Sequence, residues 1–125
     1  MNYQGWFDGS AKPNPGAMKI GGYLKDEKGV IVHQFSTQLG NGTNNRAEFL
    51  ALYSLCTILY RYKIDSIHIR GDSQLVVRQI NGESKCKEPH LKAIKAGVLY
   101  LLKDIKWKIS HVSRTRNKKA DSLTR

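Results

Sequence analysis

The polar run Gly42-Thr43-Asn44-Asn45 gives way to Ala47, Leu50, Ala51, Leu55, Ile58 and Leu59, a spacing that lays one apolar stripe along a helix. A stripe of that length has to be buried, so the rest of the chain is organised around a predicted helix from about Asn45 to Tyr60. Glu48 falls in its first turn. Unpaired N–H groups and the helix dipole favour negative charge there, which by itself is an ordinary explanation for a glutamate. Glu48 has company, however: Asp8, Asp72 and Asp121 also stand where an apolar segment ends or a short one begins.

The charge balance narrows the partner. Lysine and arginine number 21 against 10 acidic residues, a net charge of +11, which points to a polyanion and first of all to nucleic acid. A membrane surface fits less well, because no apolar run approaches the ~20 residues of a bilayer span and no segment reads as a basic amphipathic helix. With 40% hydrophobic and 25% charged residues the chain is an ordinary globular mixture, expected to form one domain over residues 1–125 and to act as a monomer. Met1 to Ser10 lacks the basic start and apolar block of a secretory leader. Cys56 and Cys86 have neither zinc-site nor disulfide spacing, so free thiols in a reducing, cytoplasmic setting are expected.

Read in order, Tyr3 to Gly9 is a strand with Tyr3, Gly5 and Phe7 on one face and Gln4, Trp6 and Asp8 on the other. A turn-rich connection through Asn14-Pro15-Gly16 leads to strands Met18–Lys25 and Val30–Leu39, joined as a hairpin across Asp26 to Gly29. After the long helix, Ile64 to Gly71 reads as a central strand buried on both faces, because its isoleucines do not fit one alternation. Asp72-Ser73 opens a second helix over Gln74–Ile80, where an aspartate is commonly a cap. Asn81 to Glu88 is a polar loop, and Pro89 starts a third helix carrying Leu91, Ile94, Val98, Leu99 and Leu102. Lys106 to Val112 is a fifth strand that puts His111 on its apolar side as a structural histidine. A basic loop, Ser113 to Arg116, precedes a short helix around Asn117–Leu123.

In sheets with parallel strands, functional groups collect at strand ends. If the strands carrying Asp8 and Asp72 are neighbours, their carboxylates lie side by side and repel, an arrangement a fold tolerates where a cation neutralises it. With oxygen ligands only, the cation is a hard one, Mg²⁺ or Mn²⁺. Two such ions sharing a carboxylate are the usual apparatus for attack of water on a phosphodiester, which suits a +11 protein.

The runs Phe7-Asp8-Gly9-Ser10 with Asn14-Pro15-Gly16, Thr43-Asn44-Asn45-Arg46-Ala47-Glu48, Gly71-Asp72-Ser73-Gln74 and Asn117-Lys118-Lys119-Ala120-Asp121 resemble the signature segments of type 1 ribonuclease H. The resemblance extends from Tyr3 nearly to the last residue. It implies an α/β, ribonuclease H-like fold, a five-stranded mixed sheet flanked by helices on both sides. It implies hydrolysis of the RNA strand of an RNA/DNA hybrid, with Asp8, Glu48, Asp72 and Asp121 as ligands of two Mg²⁺ or Mn²⁺ ions. Gly9, Ser10, Asn14, Asn44, Asn45 and Gln74 match positions that read the RNA 2′-hydroxyls, the group that distinguishes RNA from DNA. Other readings are a binding module that has lost catalysis, a nuclease that also cuts double-stranded RNA, and a DNA-cutting relative. The complete carboxylate set argues against the first, and the 2′-hydroxyl readers argue against the last.

The chain also departs from the family pattern. Many relatives carry a histidine on a flexible loop before the last aspartate, where this sequence has Ser113-Arg114-Thr115-Arg116. The segment Asn81 to Pro89 is too short for the extended basic handle of some members, so grip on the hybrid is expected from dispersed lysines, Lys85, Lys87, Lys92 and Lys95. Arg114 or Arg116 is a candidate phosphate contact. With four residues after Asp121, the last helix is expected to be brief and Asp121 less firmly held than its partners.

Overall fold

The computed structural model describes residues 2–125. Three strands come first, β1 (Tyr3–Lys12), β2 (Gly16–Lys25) and β3 (Ile31–Gly42), followed by helix α1 (Asn44–Arg61) and strand β4 (Ser66–Gly71). Helices α2 (Gln74–Ile80) and α3 (Pro89–Leu102), strand β5 (Lys106–His111), a 3₁₀ turn (Arg114–Arg116) and helix α4 (Lys118–Ser122) complete the chain. The strands form one sheet in the order β3-β2-β1-β4-β5, antiparallel across β3, β2 and β1 and parallel from β1 through β4 to β5. This is the expected five-stranded mixed sheet.

The amphipathic α1 does what its stripe requires. Ala47, Ala51, Leu52, Leu55 and Leu59 are buried against Phe7 and Leu24 of the sheet and against α3, within one continuous core that also holds Ile67, Ile69, Val76 and Ile109. Thr43 caps the helix by accepting from the Arg46 N–H at 3.1 Å, and Glu88 caps α3 through the N–H groups of His90 and Leu91, with Pro89 in the first turn as expected. The short α4 packs on the opposite face of the sheet, against β1 and β2, so helices cover both sides. Among the described residues no helix is long and apolar enough to cross a membrane.

Several local expectations are corrected. β1 continues past Gly9 to Lys12, because Gly9 to Lys12 pair with Ile20 to Ala17 of β2, so Asp8 lies within a strand and not at its end. β4 alternates strictly: Ile67, Ile69 and Gly71 are buried while Ser66, His68 and Arg70 are half-covered. The apparent irregularity came from Ile64, which precedes the strand. His111 is exposed, since it is the last residue of an edge strand with little beyond it to cover the ring. Cys86, expected in a polar loop, is buried.

One glycine fixes how α1 crosses the sheet. A Cβ on Gly9 would lie 2.3 Å from the Ala47 carbonyl oxygen and 2.7 Å from the Glu48 nitrogen, backbone atoms that cannot rotate away. Gly40, by contrast, has open space around it. Gly9→Ala is therefore expected to lower stability by about 2 kcal/mol or more, as overpacking against backbone does, and Gly40→Ala to change it by less than about 0.5 kcal/mol. Urea unfolding of the two variants checks this.

Candidate active site

Strand pairing brings the first two carboxylates together. Phe7 of β1 is paired with Gly71 of β4, so the next residues, Asp8 and Asp72, emerge side by side. Glu48 arrives from α1. That helix begins at Asn44, which places Glu48 just beyond the first turn and not within it; its carboxylate accepts from the Gly9 N–H at 2.7 Å instead of serving the helix start. Asp72 is not a cap either. Ser73 takes that role, accepting from the Val76 N–H at 3.3 Å, and leaves the Asp72 side chain free to face the other carboxylates. Oxygen atoms of Asp8, Glu48 and Asp72 lie within 4.8 Å of one another.

Asp121 approaches from α4 on the Asp8 side and lines the same cleft, outside the group of three. Arg125 holds it in an ion pair of 2.7 Å, so despite a helix of five residues it is anchored. The cleft, about 380 Å³, is further lined by Gly9, Ser10, Asn44, Asn45 and Ser73, with Lys12, Arg114 and Arg125 as its cationic side chains. Among the described residues no histidine lines it. Asn14 and Gln74, expected to read 2′-hydroxyls, are not among the residues that line this cleft. Asn14 is spent on the frame: its Oδ1 accepts from the Asn44 N–H at 3.0 Å, while Asn44 Oδ1 accepts from the Ala11 N–H at 2.7 Å, tying the start of α1 to β1. Gln74 is exposed on the first turn of α2 and does not line the cleft.

Asn117 is the residue that sequence reasoning missed. It reads as the start of the last helix, yet its side chain makes no cap bond. Completely buried, its Nδ2 donates to the Phe7 carbonyl at 3.0 Å and to Asp72 Oδ2 at 3.2 Å, joining the residue before Asp8 to Asp72. A lone amide between arginines and lysines, four positions before Asp121, was the available signal.

Crowding shows in the titration behaviour. Burial, then the charges of Asp72 and Asp121, push the Asp8 carboxyl up to about 7. Burial, then the charges of Asp8 and Asp72, push Glu48 higher still, against the opposing Gly9 N–H bond. Asp121 moves the other way, held down chiefly by Arg125. Arg125–Asp121 is the ion pair among the described residues, so no cationic side chain neutralises Asp8, Glu48 or Asp72 at close range. An all-oxygen, crowded, uncompensated set of this kind fits a hard divalent cation.

A β3-β2-β1-β4-β5 mixed sheet with carboxylates converging from β1, α1 and the residue after β4 defines the class of ribonuclease H-like proteins. The comparisons then fix the family. The family described as "Reverse transcriptase-like" matches residues 6–125. Ribonuclease HI of Halobacterium salinarum is 36% identical over 119 residues, which is 94% of this chain and 60% of that protein. The crystal structure of RNase H1 from the same archaeon superposes with a TM-score of 0.94 at 34% identity, covering 99% of this chain and 95% of the solved one. LC11-RNase H1, solved in complex with an RNA/DNA hybrid, superposes with a TM-score of 0.91 at 34% identity over 98% and 93% of the two chains. This chain belongs to the type 1 ribonuclease H family, whose members depend on metal.

The repulsion has a measurable consequence without metal. A carboxyl whose folded pKa is raised contributes stability that is fully present below its ordinary range and is lost as pH rises through the folded value, here about 7 for Asp8. In chelator the melting temperature of the wild type is thus expected to fall from pH 5 to pH 9 relative to that of Asp8→Asn. The variant should melt higher at pH 8 and gain less from added Mg²⁺, because a ligand that binds only the folded state stabilises by mass action. Calorimetry of both proteins across that range is the check; a lower melting temperature for Asp8→Asn at pH 8 in chelator would identify Asp8 as a structural strand residue.

Proposed function

We propose that this chain, acting through the single domain of residues 1–125, hydrolyses the RNA strand of RNA/DNA hybrids endonucleolytically. The observation that carries the reading is the convergence of Asp8, Glu48 and Asp72, with Asp121 beside them, in a cleft whose rim presents Ser10, Asn44 and Asn45. Family membership supports it, as does the hybrid bound to LC11-RNase H1.

Asp8, Glu48, Asp72 and Asp121 are the residues that would hold two divalent cations, Mg²⁺ or Mn²⁺. What the bound cations supply is polarisation of the scissile phosphate and acidification of a water molecule. The protein's own groups do the rest. The Gly9 N–H and Asn117 Nδ2 fix the orientation of Glu48 and Asp72, so that both carboxylates are preorganised before substrate arrives. Asn44 and Asn45, at the start of α1, and Ser10 present amides and a hydroxyl able to exchange hydrogen bonds with ribose 2′-hydroxyls. Asn14 supports Asn44 in that position. Arg114 extends a cation into the cleft where the family's loop histidine is missing, and suits a phosphate contact.

The wider grip is more concentrated than the sequence suggested. Lys85, Lys87, Lys92 and Lys95 line one open depression of about 730 Å³ between the loop after α2 and the face of α3, and act together as a phosphate-binding patch in place of the missing handle.

Asp72→Asn is expected to abolish cleavage while leaving hybrid affinity unchanged or tighter, since an amide is nearly isosteric but cannot anchor a divalent ion and carries no charge to repel phosphate. Retention of more than about a tenth of wild-type turnover would overturn the assigned role, because losing a metal-anchoring group costs several kcal/mol of transition-state stabilisation. Strand-labelled hybrid, duplex RNA and duplex DNA, each with Mg²⁺, Mn²⁺ or chelator, set the substrate range in the same assay.

Arg114→Ala is expected to weaken hybrid binding by about tenfold at low salt, the value of one charge-assisted hydrogen bond, with little change in turnover at saturation. A kcat that falls by more than KM rises would show instead that Arg114 acts in the chemical step.

A further inference from the structure

The sheet face that carries Asp8 continues away from the cleft, and α4 covers only its β1–β2 end. Beyond that helix the face is cationic. The cross-strand row Tyr23, Trp6, Arg70 is a stack of planar groups: the rings of Trp6 and Tyr23 lie 4.7 Å apart and 8° from parallel, and the Arg70 guanidinium carbon sits 5.3 Å from the Trp6 centroid. Lys25 also approaches Trp6, at 5.3 Å, and Lys119 approaches Tyr23, at 5.6 Å. The aromatic pair thus holds three cations over the sheet instead of leaving them to swing in solvent. Arg70 is further fixed by donating to Gln4 Oε1 at 2.7 Å.

Next to this row, His68 and Arg70 form the floor of a shallow trough of about 680 Å³, with Gln4 on one wall and Lys106 and Lys108 on the other. No acidic side chain lines it, and none of these cations enters an ion pair among the described residues. The field is felt inside the trough, where burial, then the charges of Arg70 and Lys108, hold the His68 imidazole below its usual range. A row of fixed, unpaired cations on a folded surface costs stability through mutual repulsion, and the cost is relieved by an anionic ligand.

We infer that this trough is a second nucleic-acid site, which takes the phosphates of a single-stranded extension of the substrate engaged at the carboxylate cleft. The inference rests on the reading of that cleft as a nuclease site. Asp8, Trp6 and Gln4 follow one another on one face of β1, so cleft and trough are separated by about 13 Å at 3.3 Å per residue. A single strand can turn through that distance. A stiff duplex reaches the trough only by lying straight across both sites, and it then makes the same contacts whether blunt or extended, the outcome that the comparison below excludes. Arg70 and Lys119 already approach the Trp6–Tyr23 pair, and the polar side chains of the trough are engaged with one another, Ser66 with Asn2, His68 with Ser110 and Arg70 with Gln4; the recognition is of phosphate, so RNA and DNA extensions serve alike.

The test compares a blunt RNA/DNA hybrid with the same hybrid carrying an eight-nucleotide single-stranded RNA or DNA extension. Affinity is read by fluorescence anisotropy in chelator, so that binding is measured without cleavage. The wild type is expected to bind the extended hybrids about tenfold more tightly at low salt, as for two or three phosphates neutralised. The exposed pair Lys106→Ala/Lys108→Ala should erase that gain and reduce the log-log salt slope by about 1.4, at 0.7 per single-strand phosphate, while blunt-hybrid binding and its Mg²⁺-dependent cleavage stay at wild-type levels. Lys25→Ala should reproduce the loss from the other side of Trp6. Equal affinity for blunt and extended hybrids, or a gain that survives in both variants, overturns the proposal. So does a gain that both variants keep while losing co-sedimentation with vesicles of 30% phosphatidylserine, which would assign the trough to an acidic membrane surface. Failure of the nuclease reading is seen separately, as absence of cleavage of the blunt hybrid with Mg²⁺; the extension is then measured as a free oligonucleotide, whose binding the variants must still abolish.

Discussion

The repulsion between carboxylates at the junction of β1 and β4 is what the rest of this structure is arranged to contain. Pairing of Phe7 with Gly71 sets Asp8 beside Asp72, and the approach of α1 over Gly9 brings Glu48 onto the same point. Among the described residues no arginine or lysine forms an ion pair with any of the three, and their confinement raises the proton affinity of Asp8 and Glu48. Such a centre persists only where the surrounding fold over-determines it, and here the core beneath α1, the pairing of five strands and the buried Asn117 do so together.

The frame around the carboxylates is built from backbone and amide contacts, which bring no charge of their own. Gly9 gives an N–H to Glu48 and, by lacking a Cβ, lets the helix close to contact distance. Asn117 gives its amide to Asp72 and to the strand that carries Asp8. Asn14 and Asn44 relay the position of β1 to the first residues of α1. Neutral donors orient carboxylates without satisfying their demand for positive charge, and a centre organised this way stays receptive to divalent cations.

The surplus of positive charge is distributed with the same economy. Lys12, Arg114 and Arg125 border the carboxylate cleft, four lysines gather between the loop after α2 and α3, and a third group stands over the open part of the sheet on the Trp6–Tyr23 stack. The division follows the fold: α4 is too short to cover the whole outer face, and what it leaves open is furnished with cations fixed by aromatic rings, not with apolar groups that would need a partner to hide them.

The sequence by itself determined the order of elements and the amphipathic face of α1, and it singled out four carboxylates that line one cleft, because these rest on local periodicity and on short segments whose residues are neighbours in the chain. It fell short where a residue's meaning depends on what lies across from it. Asp8 sits within β1 and not at its end because β2 extends the pairing; Glu48 serves Gly9 and not its own helix start; His111 is exposed because nothing packs beyond the edge of β5. Asn117 shows the difference most directly: along the chain it is a helix-starting asparagine, and only when 110 residues of sequence separation are closed does its amide reach the Phe7 carbonyl. Which carboxylates touch, and which cations share a face, are decided by strand register and helix crossing, contacts of long sequence separation that no local pattern encodes.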